Sequence, residues 1–159
     1  MPNKIGDMTV NQNLPNVNFE QTDSYLVGRE KLREFASSVL AFAPIHHKVD
    51  AARAAGFDDL VAPPTFPIVI QEKTLQQLLS HPDAGIDFSR VVHGDQKFEY
   101  IRPLIAGDEV VAKLKVIGIQ EIGGHTLLTS ETKITSVSGD LIVTATSTLV
   151  IRGRKNEDG

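Results

Sequence analysis

The sequence predicts an α+β fold in which helices come first and an antiparallel sheet follows. Two observations support this order. Apolar residues recur at helical spacing through the first half of the chain, and after Pro82 the period shortens to two, as it does in β-strands. Glycine-containing turns separate the later runs, which is typical of strands joined as an antiparallel meander. One buried helix covered by a sheet is a stable way to layer such elements.

The first predicted helix covers residues 28–40. Its apolar residues repeat with the spacing of a single buried stripe: Leu32, Phe35, Ala36, Val39 and Leu40. A short second helix is predicted from Asp50, and Gly56 is placed to terminate it. The sequence therefore predicts two amphipathic helices before residue 57.

The third predicted helix extends from Thr65 to Leu79 and ends at His81-Pro82. Prolines are tolerated at its start because the first N–H groups of a helix lack intrahelical partners. Its first half is apolar on nearly every side, so we expect it to be buried. This helix is the candidate for the centre of the fold.

About four long antiparallel strands are predicted after this helix. Turn signals separate them at residues 106–108, 123–124 and 138–140. A chain of 159 residues is long enough to bury one substantial core. We expect a single domain over residues 19–153, a flexible arm over residues 1–18 and a polar tail over residues 154–159.

The composition argues against several classes of protein. Sixteen basic and twenty acidic residues give a net charge of −4, which offers no electrostatic support for nucleic-acid binding. The chain has no cysteine, and therefore no disulfides, thiolate nucleophiles or cysteine-ligated metals. No apolar run approaches the ~20 residues that cross a bilayer, and the polar N-terminus lacks the apolar core of a signal peptide. We expect a cytoplasmic protein without a membrane partner.

Three stretches resemble the MaoC-like family of dehydratases and hydratases. They are VGREKLREFASSV, PIHHKVDAARAAGFDDLVAPPTF and HGDQKFEYIRPLIAGDEV, and they span residues 27–110. The last two are especially similar to the N-terminal-type, type I fatty-acid-synthase-like dehydratase domain. They also resemble the non-catalytic subunit of actinobacterial (3R)-hydroxyacyl-carrier-protein dehydratases. The resemblance implies a hot-dog fold, an antiparallel sheet wrapped around a long central helix, with the strand pattern extending the match to about residue 152.

The resemblance also implies where catalytic residues would lie. Catalytic members carry an aspartate followed by Asn-Pro-x-His, and the pair supplies the base and the acid that reversible dehydration of a 3-hydroxyacyl thioester needs. On this chain the histidine corresponds to His46 and the proline to Pro44, but the aspartate and asparagine correspond to Ala41 and Ala43. A methyl group transfers no proton. His46 is therefore a candidate catalytic residue without its acid.

Family members also stabilise the thioester oxygen with a backbone N–H at the start of the central helix. The corresponding segment here contains Pro63 and Pro64, which have no N–H, so the amides of Thr65 and Phe66 are the donors that remain. We expect substrate to be bound by residues at and after this helix start: Pro64, Thr65, Phe66 and Ile70. The apolar segment Phe66–Ile70 would line a channel for the acyl tail.

Other polar residues have alternative interpretations. Asp50 is either a substitute acid or a first-turn carboxylate that complements the helix dipole. His93 and Asp95 either form a hydrogen-bonded pair on one strand face or flank a β-bulge at Gly94. Arg102 belongs to a strand end and turn, or contacts a carrier phosphate. Each of these alternatives makes a distinct structural prediction.

No cofactor or metal is expected. His46 and His47 are adjacent, but consecutive side chains diverge, and no carboxylate cluster lies at ligand spacing. The ligand implied by the resemblance is an acyl-CoA or acyl-carrier-protein thioester. The implied partner is a second hot dog, in a homodimer or in a heterodimer with a catalytic MaoC-like subunit.

Three functions remain open from the sequence. The leading hypothesis is a subunit of a hydro-lyase, a (3R)-hydroxyacyl-thioester dehydratase or enoyl hydratase, that shapes the acyl channel while a partner supplies Asp and His. The second is a self-sufficient homodimeric hydratase that uses His46 with Asp50, or His93 with Asp95. The third is a hot-dog protein that binds an acyl thioester without catalysis.

Overall fold

The computed structural model describes residues 9–154. Its helices are α1 (Arg29–Ser38), α2 (Val49–Ala54) and α3 (Pro67–Ser80). Its strands are β1 (Tyr25–Leu26), β2 (Val91–Tyr100), β3 (Glu109–Ile122), β4 (His125–Ser136) and β5 (Leu141–Ile151). Short 3₁₀ turns occur at Leu14–Asn16, Pro44–His46 and Phe88–Arg90. The predicted order of helices and then four long strands is confirmed.

The five strands form one antiparallel sheet in the order β1-β3-β4-β5-β2. Helix α3 packs against β3, β4 and β5, the three central strands. Strand β2 lies at one edge of the sheet, next to β5. The α+β prediction is therefore confirmed, with the sheet covering the helix that the sequence marks as its centre.

Buried side chains form two apolar clusters. The first lies near the start of α3 and includes Phe66, Ile70 and Leu104; the second lies near its end and includes Leu78 and Leu114. Burying a large apolar side chain contributes roughly 1.5–3 kcal/mol, so these clusters stabilise the packing of the sheet on α3.

The prediction that the apolar stripe of α1 continues to Leu40 is wrong. The helix stops at Ser38, and Leu40 is 73% exposed with a φ of 59°. The Ala41 N–H donates back to the Ala36 carbonyl at 2.8 Å, which closes the helix in the manner of a C-terminal capping motif. Leu40 takes the left-handed position that glycine usually occupies there, and its side chain turns away from the core.

Helix α3 begins at Pro67, two residues later than predicted. Before it, the Phe66 N–H donates to the Pro63 carbonyl at 2.9 Å, forming a turn. Proline at the first helical position costs no intrahelical hydrogen bond, and its restricted φ suits a helix start. Helix α2 has Asp50 in its first turn and ends before Gly56, as predicted.

Part of the expected flexible arm packs onto the domain. Val10 and Leu14 are buried in the second apolar cluster, and the Asn11 N–H donates to the Ala84 carbonyl at 2.9 Å. These two buried side chains and this hydrogen bond connect the segment expected to be an arm with the rest of the domain. The remainder of the expected arm, residues 1–8, and residues 155–159 of the expected tail lie outside the described residues.

Candidate functional site

A cavity of about 380 Å³ lies beside the segment that resembles the family's catalytic loop. Its walls are mostly apolar and come from the 3₁₀ turn at residues 44–46, the segment before α3 and the end of β2. The lining residues are Ile45, His46, Phe57, Val61, Ala62, Pro64, Tyr100 and Pro103. The fold thus brings together residues from widely separated parts of the sequence.

His46 is the buried histidine of this site. Its side chain is 8% exposed, and its Nδ1 lies 2.7 Å from the carbonyl oxygen of Val61. Because a carbonyl only accepts, Nδ1 carries the hydrogen of this bond and Nε2 is the nitrogen left for a ligand. Nε2 has no hydrogen-bond partner among residues 9–154. The backbone of one loop therefore selects the orientation of the ring.

His47 does not join His46 in a common site. Its Nε2 donates to the carbonyl of Ala41 at 2.8 Å, so the two adjacent rings bind different backbone groups. Ala41, the position at which the resemblance implies the family's catalytic aspartate, contributes its carbonyl to this bond. Within the part of the chain that the structure describes, no three His, Cys, Asp or Glu side chains are grouped as metal ligands.

The start of α3 offers fewer amide donors than the sequence predicts. The Phe66 N–H is used by the Pro63 carbonyl, and Pro64 and Pro67 have none. The Thr65 N–H, by contrast, has no acceptor among the described residues. The pair of amides expected at Thr65 and Phe66 is therefore reduced to the one at Thr65.

Tyr100 is a site residue that the sequence reasoning missed. Its hydroxyl donates to the Pro64 carbonyl at 2.6 Å, and its ring lines the same cavity as His46. Partial burial raises the pKa of this phenol well above its usual range, so the group stays protonated at physiological pH. The sequence does carry one signal for this role: Tyr100 is the last residue of β2 and lies on the same face of the strand as Phe98.

The expected substrate-binding residues separate into two groups. Phe66 and Ile70 are fully buried in the first apolar cluster, where Phe66 meets Phe35 edge-on with ring centroids 5.3 Å apart. Thr65 is exposed, and Pro64 is exposed at the rim of the cavity. Of the four, only Pro64 lines the cavity in this chain.

The alternative acids and bases lie elsewhere. Asp50 is exposed in the first turn of α2, where its charge complements the helix dipole. His93 and Asp95 are exposed on β2, and the pairing with β5 shifts register between them. The shift matches the bulge interpretation. The structure brings none of these three side chains to the cavity wall.

Arg102, the neighbour in sequence of the lining residue Pro103, forms an ion pair with Asp108. Two of its guanidinium nitrogens donate to the carboxylate of Asp108 at 2.8 and 2.9 Å. Asp108 also accepts the N–H of Ile105 at 2.9 Å, which closes the turn before β3. Because Pro103 lies between these partners in sequence and lines the cavity, the pair fixes one wall of the site.

A second ion pair lies beside another lining segment, residues 57–61. Arg29 on α1 donates to Asp59, with the shortest N–O distance at 2.7 Å. Hydrogen bonding from Arg29 lowers the pKa of the Asp59 carboxyl. The Asp59 carboxylate also accepts the N–H of Leu60 at 2.7 Å. These bonds hold the segment between Phe57 and Val61, both of which line the cavity.

Comparison with known families agrees with this architecture. The model of the FAS1-like dehydratase domain region matches residues 13–145. A UPF0336 protein of Leifsonia xyli subsp. xyli is 57% identical, over 91% of this chain and 97% of that relative. A UPF0336 protein of Saccharopolyspora erythraea is 41% identical, over 92% of this chain and 94% of the relative.

Solved structures extend the comparison. A chain of the C-terminally truncated HadBC (3R-hydroxyacyl-ACP dehydratase) complex from Mycobacterium tuberculosis is 32% identical, with a TM-score of 0.75 over 84% of this chain and 92% of that chain. A MaoC-like dehydratase is 29% identical, with a TM-score of 0.76 over 86% of this chain and 42% of that chain. These likenesses confirm the expected hot-dog fold. No helix within residues 9–154 is long and apolar enough to cross a membrane.

Proposed function

This chain belongs to the family of the FAS1-like dehydratase domain region, and we propose that it acts as one subunit of a (3R)-hydroxyacyl-thioester dehydratase in fatty-acid metabolism. In this proposal the chain forms part of the acyl-binding wall, and a partner hot dog supplies the catalytic Asp and His. The similarity to a chain of the HadBC complex supports this assignment.

The observation that carries the proposal is a cavity with one histidine and no acid. Dehydration needs a base for the α-proton and an acid for the leaving hydroxyl. Nδ1 of His46 is held by the Val61 carbonyl, and the carboxyl expected beside it is replaced by the methyl group of Ala41. The residues that line the cavity include no carboxylate. Nε2 of His46 would therefore have to act as both the base and the acid.

The exposed edge of the sheet favours a partner chain. On its outer side β2 has no strand neighbour among residues 9–154, and an open strand edge is a template for pairing with another chain. Large apolar side chains are exposed along and beside it, among them Phe88, Val92 and Ile101. Tyr100 lies on the same strand, so a partner paired with β2 would border the cavity.

The test is co-expression with a hot-dog chain from the same genome that retains the aspartate and Asn-Pro-x-His. We expect the pair to hydrate and dehydrate short thioesters, and the isolated chain to be inactive. Enzyme-like turnover by the isolated chain would refute the proposal and support a self-sufficient homodimer.

A matched pair of variants locates the interface. Ile101→Asp, at the end of β2, is expected to weaken association with the partner and lower activity in proportion. Val137→Asp is the control, because Val137 is also exposed but lies in the turn between β4 and β5. Equal loss of association in both variants would place the interface away from β2.

A non-catalytic acyl-thioester-binding protein is the second candidate. It is favoured by the same buried His46, whose Nε2 can accept a hydrogen bond in an apolar cavity without any proton transfer. This candidate predicts that thioesters stabilise the chain against unfolding, and that no partner subunit confers turnover. The co-expression assay separates it from the first proposal.

A further inference from the structure

A cavity of about 380 Å³ also lies on the outer side of the sheet, between residues 15–18 and strands β3 and β4. The charged residues that line it are Lys113 and Lys115 on β3, and Glu131 and Lys133 on β4. The three lysines are exposed, whereas the residues that alternate with them along the two strands are buried. This cavity shares no lining residue with the cavity that contains His46.

The lysines give this cavity a charge opposite to that of the whole chain. Three ammonium groups and one carboxylate leave an excess of two positive charges, whereas the chain has a net charge of −4. The Glu131 carboxylate lies 4.0 Å from the Lys133 ammonium group. The side chains of Lys113 and Lys115 have neither an ion pair nor a hydrogen bond with any residue between 9 and 154. Two exposed cations are therefore available to a ligand.

The strand register places the lysines next to one another. Lys113 lies directly opposite Lys133, and Lys115 lies opposite Glu131. Lys115 points to the same face as Lys113, because it is two residues further along the strand. Like charges directly opposite each other destabilise a sheet. An anion bound between these ammonium groups would remove that repulsion, so the arrangement favours a multivalent anion.

The open edge of β3 adds a backbone donor to this wall. The Ala112 N–H donates to the Thr22 hydroxyl at 3.0 Å, and the Ala112 carbonyl accepts the Thr22 N–H at 2.9 Å. Because successive residues of a strand direct these groups to alternate sides, the Leu114 N–H points to the same edge. It has no acceptor among the residues that the structure describes. Leu114 lines the cavity although its side chain belongs to the second apolar cluster, so an unpaired amide lies beside the lysines.

We propose that this cavity binds a phosphate group, either free or as part of a phosphorylated small molecule, through Lys113, Lys115 and Lys133. A phosphate monoester carries a charge of about −1.5 to −2 at pH 7 and presents three strong acceptor oxygens. That charge matches the excess of two positive charges, and the oxygens can accept from the ammonium groups and from the Leu114 N–H.

The size of the cavity suits such a ligand. Its volume is within the range of small-molecule sites, roughly 300–1,000 Å³. A carboxylate has a single charge and would leave part of the repulsion between the lysines in place. Binding here requires neither the cavity that contains His46 nor a partner chain, so it is independent of the proposed function.

Calorimetric titration of the isolated full-length chain tests the site. The probes are phenyl phosphate, inorganic phosphate and benzoate, at low ionic strength because salt screens exposed charges. We expect saturable binding of both phosphates and roughly ten-fold weaker binding of benzoate, which offers one charge to three cations. Tighter binding of phenyl phosphate than of inorganic phosphate identifies an organic phosphate as the ligand, and equal binding identifies inorganic phosphate. Both results support the site.

Variants assign the binding to the lysines. Lys113→Gln and Lys133→Gln should each weaken phosphate binding roughly five-fold, the effect of one exposed charge pair. Lys97→Gln is the matched control, because Lys97 lies on the same outer face but on β2, is paired with Glu99 at 2.9 Å and does not line the cavity. It should bind phosphate as the unaltered chain does.

Thermal unfolding gives a second readout that a merely structural lysine would not show. Without phosphate, Lys113→Gln should unfold at a slightly higher temperature than the unaltered chain, because it removes the repulsion with Lys133. With saturating phosphate, its midpoint should rise less than that of the unaltered chain. A gain of stability combined with a loss of binding identifies Lys113 as part of a ligand site.

Several results would overturn this assignment. Equal binding of benzoate and phenyl phosphate would show that the cavity attracts any anion. Equal weakening by Lys97→Gln and Lys113→Gln would show that binding follows net charge and not position. The absence of saturable binding by either phosphate, or a lower stability of Lys113→Gln without ligand, would likewise exclude the site.

Discussion

The hydroxyl of Tyr100, at the end of strand β2, donates to the carbonyl of Pro64 just before helix α3, at 2.6 Å. This bond ties an edge strand of the sheet to the start of the central helix. It also places a phenol at the rim of the cavity that contains His46. One side chain, that of Tyr100, thus connects the candidate site with the β2 edge at which we propose a partner.

The ionisation of Tyr100 can be measured directly. The chain has two tyrosines and no tryptophan, so Tyr25→Phe leaves Tyr100 as the only phenol. Burial raises its pKa, and we expect ionisation, followed by ultraviolet absorbance, well above the ordinary value of about 10. A midpoint near the ordinary value in the folded protein would contradict the packing of this side chain.

The same shift predicts a loss of stability in alkali. The folded state holds the Tyr100 proton more tightly than the unfolded state does. The contribution of the protonated phenol to the free energy of unfolding is therefore fully present below pH ~10, and it is lost as the pH rises through the higher folded-state pKa. Urea unfolding at a series of alkaline pH values should therefore show a smaller decline in Tyr100→Phe than in the unaltered chain. Parallel declines would argue against this linkage.

Phe66 is expected to be structural in this chain. Phe66→Ala should lower the free energy of unfolding by about 3–5 kcal/mol, since it removes a fully buried ring that packs against Phe35. Phe42→Ala is the control: Phe42 is 68% exposed, and its removal should change stability by less than about 0.5 kcal/mol. Urea denaturation measures both. A small effect at Phe66 would indicate that its ring faces a channel.

The hydroxyl of Ser147 is buried without a partner among the described residues. Ser147→Ala should leave stability unchanged or increase it, because an unpaired buried hydroxyl is costly. Thr132→Val is the contrast, since the Thr132 hydroxyl is bonded to that of Thr74 at 2.9 Å, and its loss should cost about 1 kcal/mol. Destabilisation by Ser147→Ala would reveal a partner such as a buried water.

The anchoring of residues 9–11 depends on Gly85. Its φ is 68°, and a Cβ there would lie 2.1 Å from the carbonyl oxygen of Thr9. Gly85→Ala should therefore destabilise the protein by at least about 1 kcal/mol, measured by thermal or urea unfolding. Gly118→Ala, where a Cβ would meet nothing within 4 Å and the φ is not positive, should leave stability unchanged or slightly higher. Equal effects would indicate that Thr9 is not held against Gly85.

Much of the architecture follows from local patterns. The change of period after Pro82 predicts the order of elements, and the apolar segment before Leu79 marks the central helix, because both signals are carried by neighbouring residues. One error occurs where two local signals compete. Leu40 continues the apolar stripe of α1, but the capping bond from the Ala41 N–H to the Ala36 carbonyl ends the helix first.

Some features of the candidate site follow from the sequence, and others follow only from the tertiary structure. Sequence alone determined the order of elements and the central helix, and it identified His46 as a candidate with alanine at position 41. Only the tertiary structure decided that His46 donates to Val61 and that the Phe66 amide is already used. It also decided that Tyr100, 36 residues from Pro64, belongs to the cavity. Periodicity is a property of neighbouring residues, whereas a hydrogen-bond partner depends on where the folded backbone places distant groups.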